Sequence, residues 1–380
     1  MIDSDLKRSY YQYQQHIKLG LLKLTFMHKL FLSCAFVGIF LCSLVLSMLW
    51  YKKNNKKGTN CLVINNNREP YITIKREFLK VVGIESAEVS RFILPVLPMK
   101  FYAEIFRNYK FYIRRMDFLG ALSIKLMQYF SLYHKKNMKV MIVLQEYSFY
   151  MSYLTFLIEN SHGKLFNIMH GIPGDEASYF RFSKCFVWGE FYKKFYIEHF
   201  AEKTQFLVSG SVYHTSLIER ADKSVPKEYD IVYLMQGNGF ATQDEIDDVL
   251  EILEGLSVAY KVVIKQHPLH NVTIKYNLEE IVEKDIFSVL NNCKIALSHF
   301  STSLLDAKLL GINVVSYSKI NRKNMLEFLD QEEIATSKED LLSSLKNSLQ
   351  NPSRSKPLEH IYIDTDVNTL SVIKKEIGLI

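Results

Sequence analysis

The chain has 380 residues, 48% of them hydrophobic and 23% charged. Those proportions belong to a folded globular protein with a sizeable core and exclude a disordered or low-complexity chain. The formal net charge is +7, with lysine and arginine spread rather than massed; this suits an anionic membrane or an anionic small molecule and leaves no nucleic-acid footprint.

Residues 1–29 mix tyrosine, glutamine and lysine, and from Leu19 onward apolar residues cluster (Leu21, Leu22, Leu24, Phe26, Met27). That composition fits a juxtamembrane helix at a membrane interface. Residues 30–51, LFLSCAFVGIFLCSLVLSMLWY, carry no charge and as a helix reach roughly 33 Å, enough for the hydrocarbon core of a bilayer. A signal peptide would have a shorter apolar stretch and a small-residue cleavage site. With Trp50 and Tyr51 as an aromatic belt and Lys52, Lys53, Lys56 and Lys57 behind them, the expectation is one transmembrane helix in a single-pass protein with its globular part in the cytoplasm. The five cysteines, Cys34, Cys42, Cys61, Cys185 and Cys293, include no CxxC pair. They form neither a disulfide framework nor a zinc site and fit a reducing compartment.

From Cys61 the chain reads as α/β. Cys61 to Ile64 and Tyr71 to Ile74 are strand candidates, and an aromatic-rich helical stretch runs from Phe101 to Tyr133. The apolar run Val140 to Leu144 ends at Gln145-Glu146; a helical period covers Phe149 to Glu159; the strand Lys164 to Met169 ends at His170-Gly171. Cys185 to Val187 ends at Trp188-Gly189-Glu190, a helix follows from Phe191 to Phe200, and Thr204 to Val208 ends at Ser209-Gly210. Strand, turn and helix in alternation predict a parallel sheet. The polar, proline-bearing stretch 219–230 reads as a linker. A second alternation then begins: Ile231 to Met235, a helix from Asp244 to Leu256 with an acidic first turn, Val262 to Ile264, Ile295 to Phe300 and Val314 to Tyr317. The organisation expected is therefore a first α/β domain over 58–218, a second over 231–350 and a tail over 351–380, the two domains facing a cleft.

The chemistry collects at the ends of two strands of the second domain. One strand stops at Lys265-Gln266-His267-Pro268, delivering a cation, an amide and an imidazole to its carboxyl end. The other stops at Ser301-Thr302-Ser303, the hydroxyl-rich start of a helix that Gly311 closes. Carboxyl edges of open α/β sheets are where ligands bind, and a helix N-terminus with hydroxyls suits a phosphate. Ser301 or Thr302 is also an ordinary N-cap, and capping and phosphate binding use the same donors. Asp306 complements the dipole of that helix. Gln236-Gly237-Asn238-Gly239, after another strand, lets a backbone approach a ligand closely but matches neither a Walker A nor a dinucleotide spacing; a plain tight turn explains it equally well. In the first domain Glu146, His170, Asp175 and Glu176 stand at or just past strand ends, each a residue type able to act as a base. His162, His270 and His299 read as loop or packing histidines.

With these motifs in place the chain resembles the bacterial glycosyltransferases of the GT-B fold, in particular the sialyltransferases, polysialyltransferases and capsule Kdo transferases that use CMP-activated sugars. Lys265-Gln266-His267-Pro268 is similar to their HP motif and Ser301-Thr302-Ser303 to their serine motif. His170-Gly171, Trp188-Gly189-Glu190 and Gly210 follow the run seen in the first domain of surface-polysaccharide enzymes. The resemblance implies two Rossmann-like domains and transfer of a sialic acid or Kdo type of sugar from a nucleotide-sugar donor to a glycan or glycolipid acceptor, with no cofactor and no metal. It implies that His267 and Ser301, Thr302 and Ser303 contact the donor phosphate and that an acid of the first domain deprotonates the acceptor; Lys265, Pro268, Gln236, Gly237, Asn238 and Gly239, at the same strand ends, complete the candidate donor site. The family's acidic pair followed by glycine does not occur in that order here: Asp175-Glu176 follows Gly174, and Glu146 precedes a tyrosine. A teichoic-acid type of polyol-phosphate transferase has similar motifs, and a non-catalytic, membrane-anchored assembly protein would use the same core for binding alone.

Overall fold

The computed structural model describes residues 4–18, 22, 24–50, 59–63, 71–82, 84–87, 97–145, 148–173, 180–199, 204–221, 226–236, 241–267, 274–282, 285–319, 327–351, 358–365 and 368–379. The chain divides into two units, Met1–Val212 with Asp366–Ile380, and Tyr213–Thr365.

The first unit is built on the strands β1 (Thr59–Val63), β2 (Glu85–Ala87), β3 (Met138–Val143), β4 (Lys164–Ile168), β5 (Lys184–Val187) and β6 (Gln205–Val208). They form one sheet in the order β2-β1-β3-β4-β5-β6, every neighbouring pair parallel. Continuous apolar runs such as Met141 to Val143 are what a strand covered on both faces requires, and these residues are fully buried. Tyr71 to Ile74, expected as a strand, is instead part of the helix Tyr71–Glu77. Its alternating look is incidental: the adjacent Thr73 and Ile74 are both buried, Arg76 is exposed and Phe78 is buried again, a spacing of helical and not strand period.

Two further segments belong to this unit. The helix Asp5–Lys18 looks polar, yet Leu6, Ser9 and Tyr13 on one side of it are buried. Asp5 pairs with Arg181 at 2.5 Å, and the Ser9 hydroxyl accepts the amide of Tyr153 at 3.2 Å, an N–H in the first turn of helix Met151–Asn160 that has no partner within its own helix. At the other end of the chain, helix Thr369–Ile377 is tied in by an ion pair between Glu376 and Lys184 of β5.

The second unit carries β7 (Tyr229–Met235), β8 (Val262–Gln266), β9 (Glu279–Glu280), β10 (Cys293–Ser298), β11 (Asn313–Tyr317) and β12 (Ile334–Ala335). Their order is β12-β11-β10-β7-β8-β9, again all parallel. Behind them helices Gln243–Ser257 and Lys338–Gln350 cover one face, with Ile246, Val249, Leu253, Leu341 and Leu345 in the same core as Tyr233, Ile264 and Tyr317.

Candidate functional site

The strand order of the second unit decides where a ligand can enter. From β7 the chain runs outward to β8 and β9, then returns to the other side of β7 and runs outward again through β10, β11 and β12. This is the order of dinucleotide-binding sheets, and its direction reverses between β7 and β10. Loops leaving those two strands turn apart, and the crevice between them is the place where open α/β sheets bind ligands.

The residues singled out in the sequence stand on that edge. Gln236 leaves β7, and its Oε1 accepts the amide of Phe300, just past β10, at 2.7 Å. Two residues deeper along the strands the Ser298 hydroxyl donates to the Leu234 carbonyl at 2.7 Å. On the other flank the amide of His267 donates to the Met235 carbonyl at 3.0 Å, which extends the β7–β8 ladder by one bond. Because β7 lies between β8 and β10, the backbones of His267 and Ser301 are two strand spacings apart, roughly 10 Å. The imidazole-bearing residue, the carboxamide and the three alcohols therefore share one end of one sheet, with Gln236 in the middle.

Ser301 is the N-cap of helix Thr302–Leu309: its backbone is extended, its hydroxyl accepts the Ser303 amide at 3.2 Å and its carbonyl the Leu304 amide at 3.1 Å. At the far end Gly311, at φ +73°, occupies the left-handed position. Its amide bonds the Lys308 carbonyl and the next amide, of Ile312, bonds Ala307, the paired bonds of a Schellman stop. The helix is thus fixed in register at both ends, which holds Ser301, Thr302 and Ser303 on the crevice. Asp306 does more than complement the dipole. It is buried and accepts from His214 Nε2 at 3.0 Å and from the Tyr213 hydroxyl at 3.4 Å, pinning the helix to helix Val212–Arg220.

Below the edge lies a polar layer that the sequence did not announce. His299 is buried, its Nδ1 against the Tyr317 carbonyl at 2.8 Å and its Nε2 against the Tyr233 hydroxyl at 2.6 Å. A carbonyl only accepts, so Nδ1 carries a proton, while Nε2 shares a hydrogen bond with the Tyr233 hydroxyl. This histidine packs, as its sequence context suggests. Glu245 closes a capping box with Thr242 and also accepts the Lys319 amide at 2.8 Å and the Ser318 hydroxyl at 3.3 Å, beyond β11. Burial alone would raise its carboxyl, but the bonds from Thr242 and Lys319 outweigh burial and hold it below the ordinary range. Asp248, one turn on, is lowered in the same way by Lys319, Tyr317 and Lys338. The threonine-x-x-glutamate spacing was the available signal for Glu245.

These depressed carboxyls set an acid limit. Their unfolded values are about 3.9 for aspartate and 4.3 for glutamate, so the stability they contribute is complete above those values and is lost as pH falls through the lower folded ones. Urea midpoints are expected to drop steeply below about pH 4. A Glu245→Gln chain should be weaker at neutral pH and show a flatter acid limb; parallel curves would disprove the assignment.

The remaining candidates divide by location. Lys265 points its ammonium at the Val282 carbonyl, 2.9 Å away, a tie toward the β9 side; burial lowers its pKa, with Asp285 opposing. In the first unit His170 follows β4 and is half-buried. Beside it, Trp188 Nε1 donates to the Met169 carbonyl at 2.9 Å, and Gly210 takes the left-handed conformation at φ +66°, so part of the motif run there builds loops. Gln145, after β3, has its Oε1 bonded by the hydroxyls of Tyr129 at 2.9 Å and Tyr150 at 2.6 Å. Pro268, Gly237, Asn238, Gly239, Glu146, Asp175 and Glu176 lie outside the described residues. Among the described residues no group of three His, Cys, Asp or Glu side chains is placed to hold a metal.

No protein-family model matches the chain, and no curated protein matches it either. Solved structures do. The wall teichoic acid polymerase TagF, soaked with CDPG, aligns with a TM-score of 0.54 at 11% identity over 98% of both chains. UDP-GlcNAc 2-epimerase from Neisseria meningitidis, bound to UDP-GlcNAc, aligns at 0.53 and 11% identity over 85% of this chain and 100% of that one. Sucrose-phosphate synthase from Thermosynechococcus elongatus aligns at 0.51 and 9% identity over 85% and 98%. At such identities the likeness speaks for the fold, two parallel-sheet α/β units of the GT-B kind.

Proposed function

We propose that the chain is a membrane-attached glycosyltransferase that moves a sugar from a nucleotide donor to a cell-surface glycan or glycolipid, with its globular part on the cytoplasmic side. One observation carries this reading: Gln236 and Ser301 to Ser303 border the switch point of a sheet with dinucleotide-binding order, and His267 ends the neighbouring strand on the same sheet edge. The nucleotide ligands of the similar structures, CDPG and UDP-GlcNAc, agree with it. In the reaction the acceptor oxygen forms a bond to the anomeric carbon while the bond from that carbon to the donor phosphate breaks. The nucleotide leaves with the electron pair. His267 and the hydroxyls of Ser301, Thr302 and Ser303 would bond the phosphate more strongly as its charge grows, which lowers the barrier rather than merely tightening binding. By the motif resemblance the acceptor proton would pass to a base drawn from Glu146, His170, Asp175 and Glu176. The motif resemblance favours a CMP-sugar of the sialic acid or Kdo type and no metal.

A polyol-phosphate transferase is the second reading, favoured by the TagF alignment over 98% of both chains. Its bond forms at phosphorus rather than at an anomeric carbon. Offering the full chain CMP-sialic acid, CMP-Kdo, a UDP-sugar and CDP-glycerol one at a time, and identifying both the donor consumed and the group on the product, separates the two. Release of CMP with a glycosylated product is expected. Release from CDP-glycerol alone would establish the second reading, and UDP release would move the donor to another sugar class.

A further inference from the structure

The apolar run near the N-terminus forms helix Phe26–Trp50, and its surroundings decide what it does. One stripe faces its own unit. Leu32 touches Gly120 of helix Met116–Lys135 so closely that a Cβ on the glycine would stand 1.8 Å from the Leu32 carbonyl oxygen. Phe40 packs its ring on Tyr102 at 4.9 Å, and the buried Ser43 hydroxyl accepts from the Tyr102 hydroxyl at 2.8 Å and the Leu97 amide at 3.2 Å. From Leu32 to Ser43 the helix is held along roughly 16 Å of its axis. A helix crossing the bilayer in this packing would take Asp117 and Lys125 of its partner helix into hydrocarbon, where charges are expensive.

The opposite stripe is bare. Phe26 is 78% exposed and Phe31 66%, with Met27, Leu30, Val37 and Leu41 also exposed. Phe106 and Ile113, at 59% and 62%, continue the apolar surface beside it. A continuous apolar surface of this kind marks a membrane or partner contact, and the neighbouring charges choose between them. At its rim lies an open cavity of about 650 Å³ lined by Lys29, Lys110, Arg114 and Arg115 against one carboxylate, Asp117. Asp117 is engaged by the Tyr13 hydroxyl at 3.3 Å. The Arg115 guanidinium is held between the rings of Phe111 and Tyr10, 4.0 and 4.7 Å from their centroids. No ion pair among the described residues involves Lys29, Lys110 or Arg114. Lys29 stands between Met27 and Leu30 in sequence, and Ile113 lines the cavity while being part of the apolar surface. Cations at the edge of an apolar ridge are complementary to an anionic headgroup above acyl chains.

We propose that the first unit docks on an anionic bilayer surface, with the bare face of helix Phe26–Trp50 lying in the interface and the cavity of Lys29, Lys110, Arg114 and Arg115 holding a lipid phosphate. The helix lies on the membrane in this arrangement and does not cross it, so both flanks of the helix stay on one side. The proposal rests on the first unit alone and is tested without donor or acceptor, so it stands or falls apart from the transferase reading.

The experiment is flotation of the full chain with vesicles of phosphatidylcholine alone and of phosphatidylcholine and phosphatidylglycerol in equal parts. Strong binding to the anionic vesicles only is expected. Each cation near a membrane surface is worth about fivefold, so the exposed pair Lys110→Gln with Arg114→Gln should weaken binding about thirtyfold. Phe31→Ser should weaken it about tenfold or more. In sealed inside-out membrane vesicles, protease should reach tags at both ends of the chain from the same side. Equal binding to both lipids, an unaffected double variant, or tags on opposite sides would overturn the proposal.

Discussion

His267→Ala is expected to lower turnover in sugar transfer about a hundredfold or more, the usual effect of removing one donor aimed at developing negative charge. The fold should not change with it. The main-chain amide at this position, which bonds the Met235 carbonyl, is kept by alanine. The loss should fall on kcat more than on KM, because a contact to the leaving phosphate strengthens as the glycosidic bond to the donor breaks. His267→Gln, which retains a neutral donor, should recover part of the rate. Ser301→Ala makes the informative contrast. It removes a helix cap worth about 1 kcal/mol along with any phosphate contact, so stability and turnover should fall together. Single-turnover release of the nucleotide, measured beside urea midpoints for both variants, checks the pair. Full turnover in His267→Ala would put the leaving-group contact on another residue and detach the HP motif from catalysis.

The strands that carry this site were legible because their apolar runs are unbroken and end abruptly in polar residues. Val262 to Ile264 running into Lys265, and Ile295 to Ser298 running into Ser301, leave little else for the chain to do. Gly311 was legible for a related reason: a left-handed helix stop favours a residue without a Cβ. What the sequence could not display is adjacency. That β10 returns to pair with β7 rather than continuing outward from β9 is a relation between segments some sixty residues apart, and the switch point exists only through it. The role of Gln236 is equally non-local, since its carboxamide looks like a loop residue until Phe300 stands beside it. The polar layer of His299, Tyr233, Glu245 and Lys319 follows the same rule: each member reads singly as a turn or cap, and only their meeting consumes their hydrogen bonds. Strands of two residues, β9 and β12, are too short to show any period. In the N-terminal run, length and hydropathy show how apolar the helix is but not which of its faces another helix covers.

That last distinction gives the second large effect. Gly120→Val is expected to cost more than about 4 kcal/mol, in the range reserved for steric conflict in a packed core. In an isolated helix a glycine interior position is less stable than alanine by about 1 kcal/mol, so a larger residue would be favoured here if the position were open. It is closed by main chain, the Leu32 carbonyl oxygen at 1.8 Å and its carbon at 2.5 Å from where a Cβ would stand, and neither can swing aside as a side-chain tip would. The valine chain must therefore part helix Phe26–Trp50 from helix Met116–Lys135, exposing the buried Phe36 and Ile39 beside Leu32. Faster hydrogen exchange confined to these two helices, and a lowered melting point, are the readouts. The comparison with Phe31→Ser is decisive, since Phe31 is on the bare face and its loss should leave the melting point unchanged while weakening vesicle binding. If Gly120→Val were as stable as the parent chain, helix Phe26–Trp50 would be free of its partner helix and able to leave this packing for a bilayer crossing.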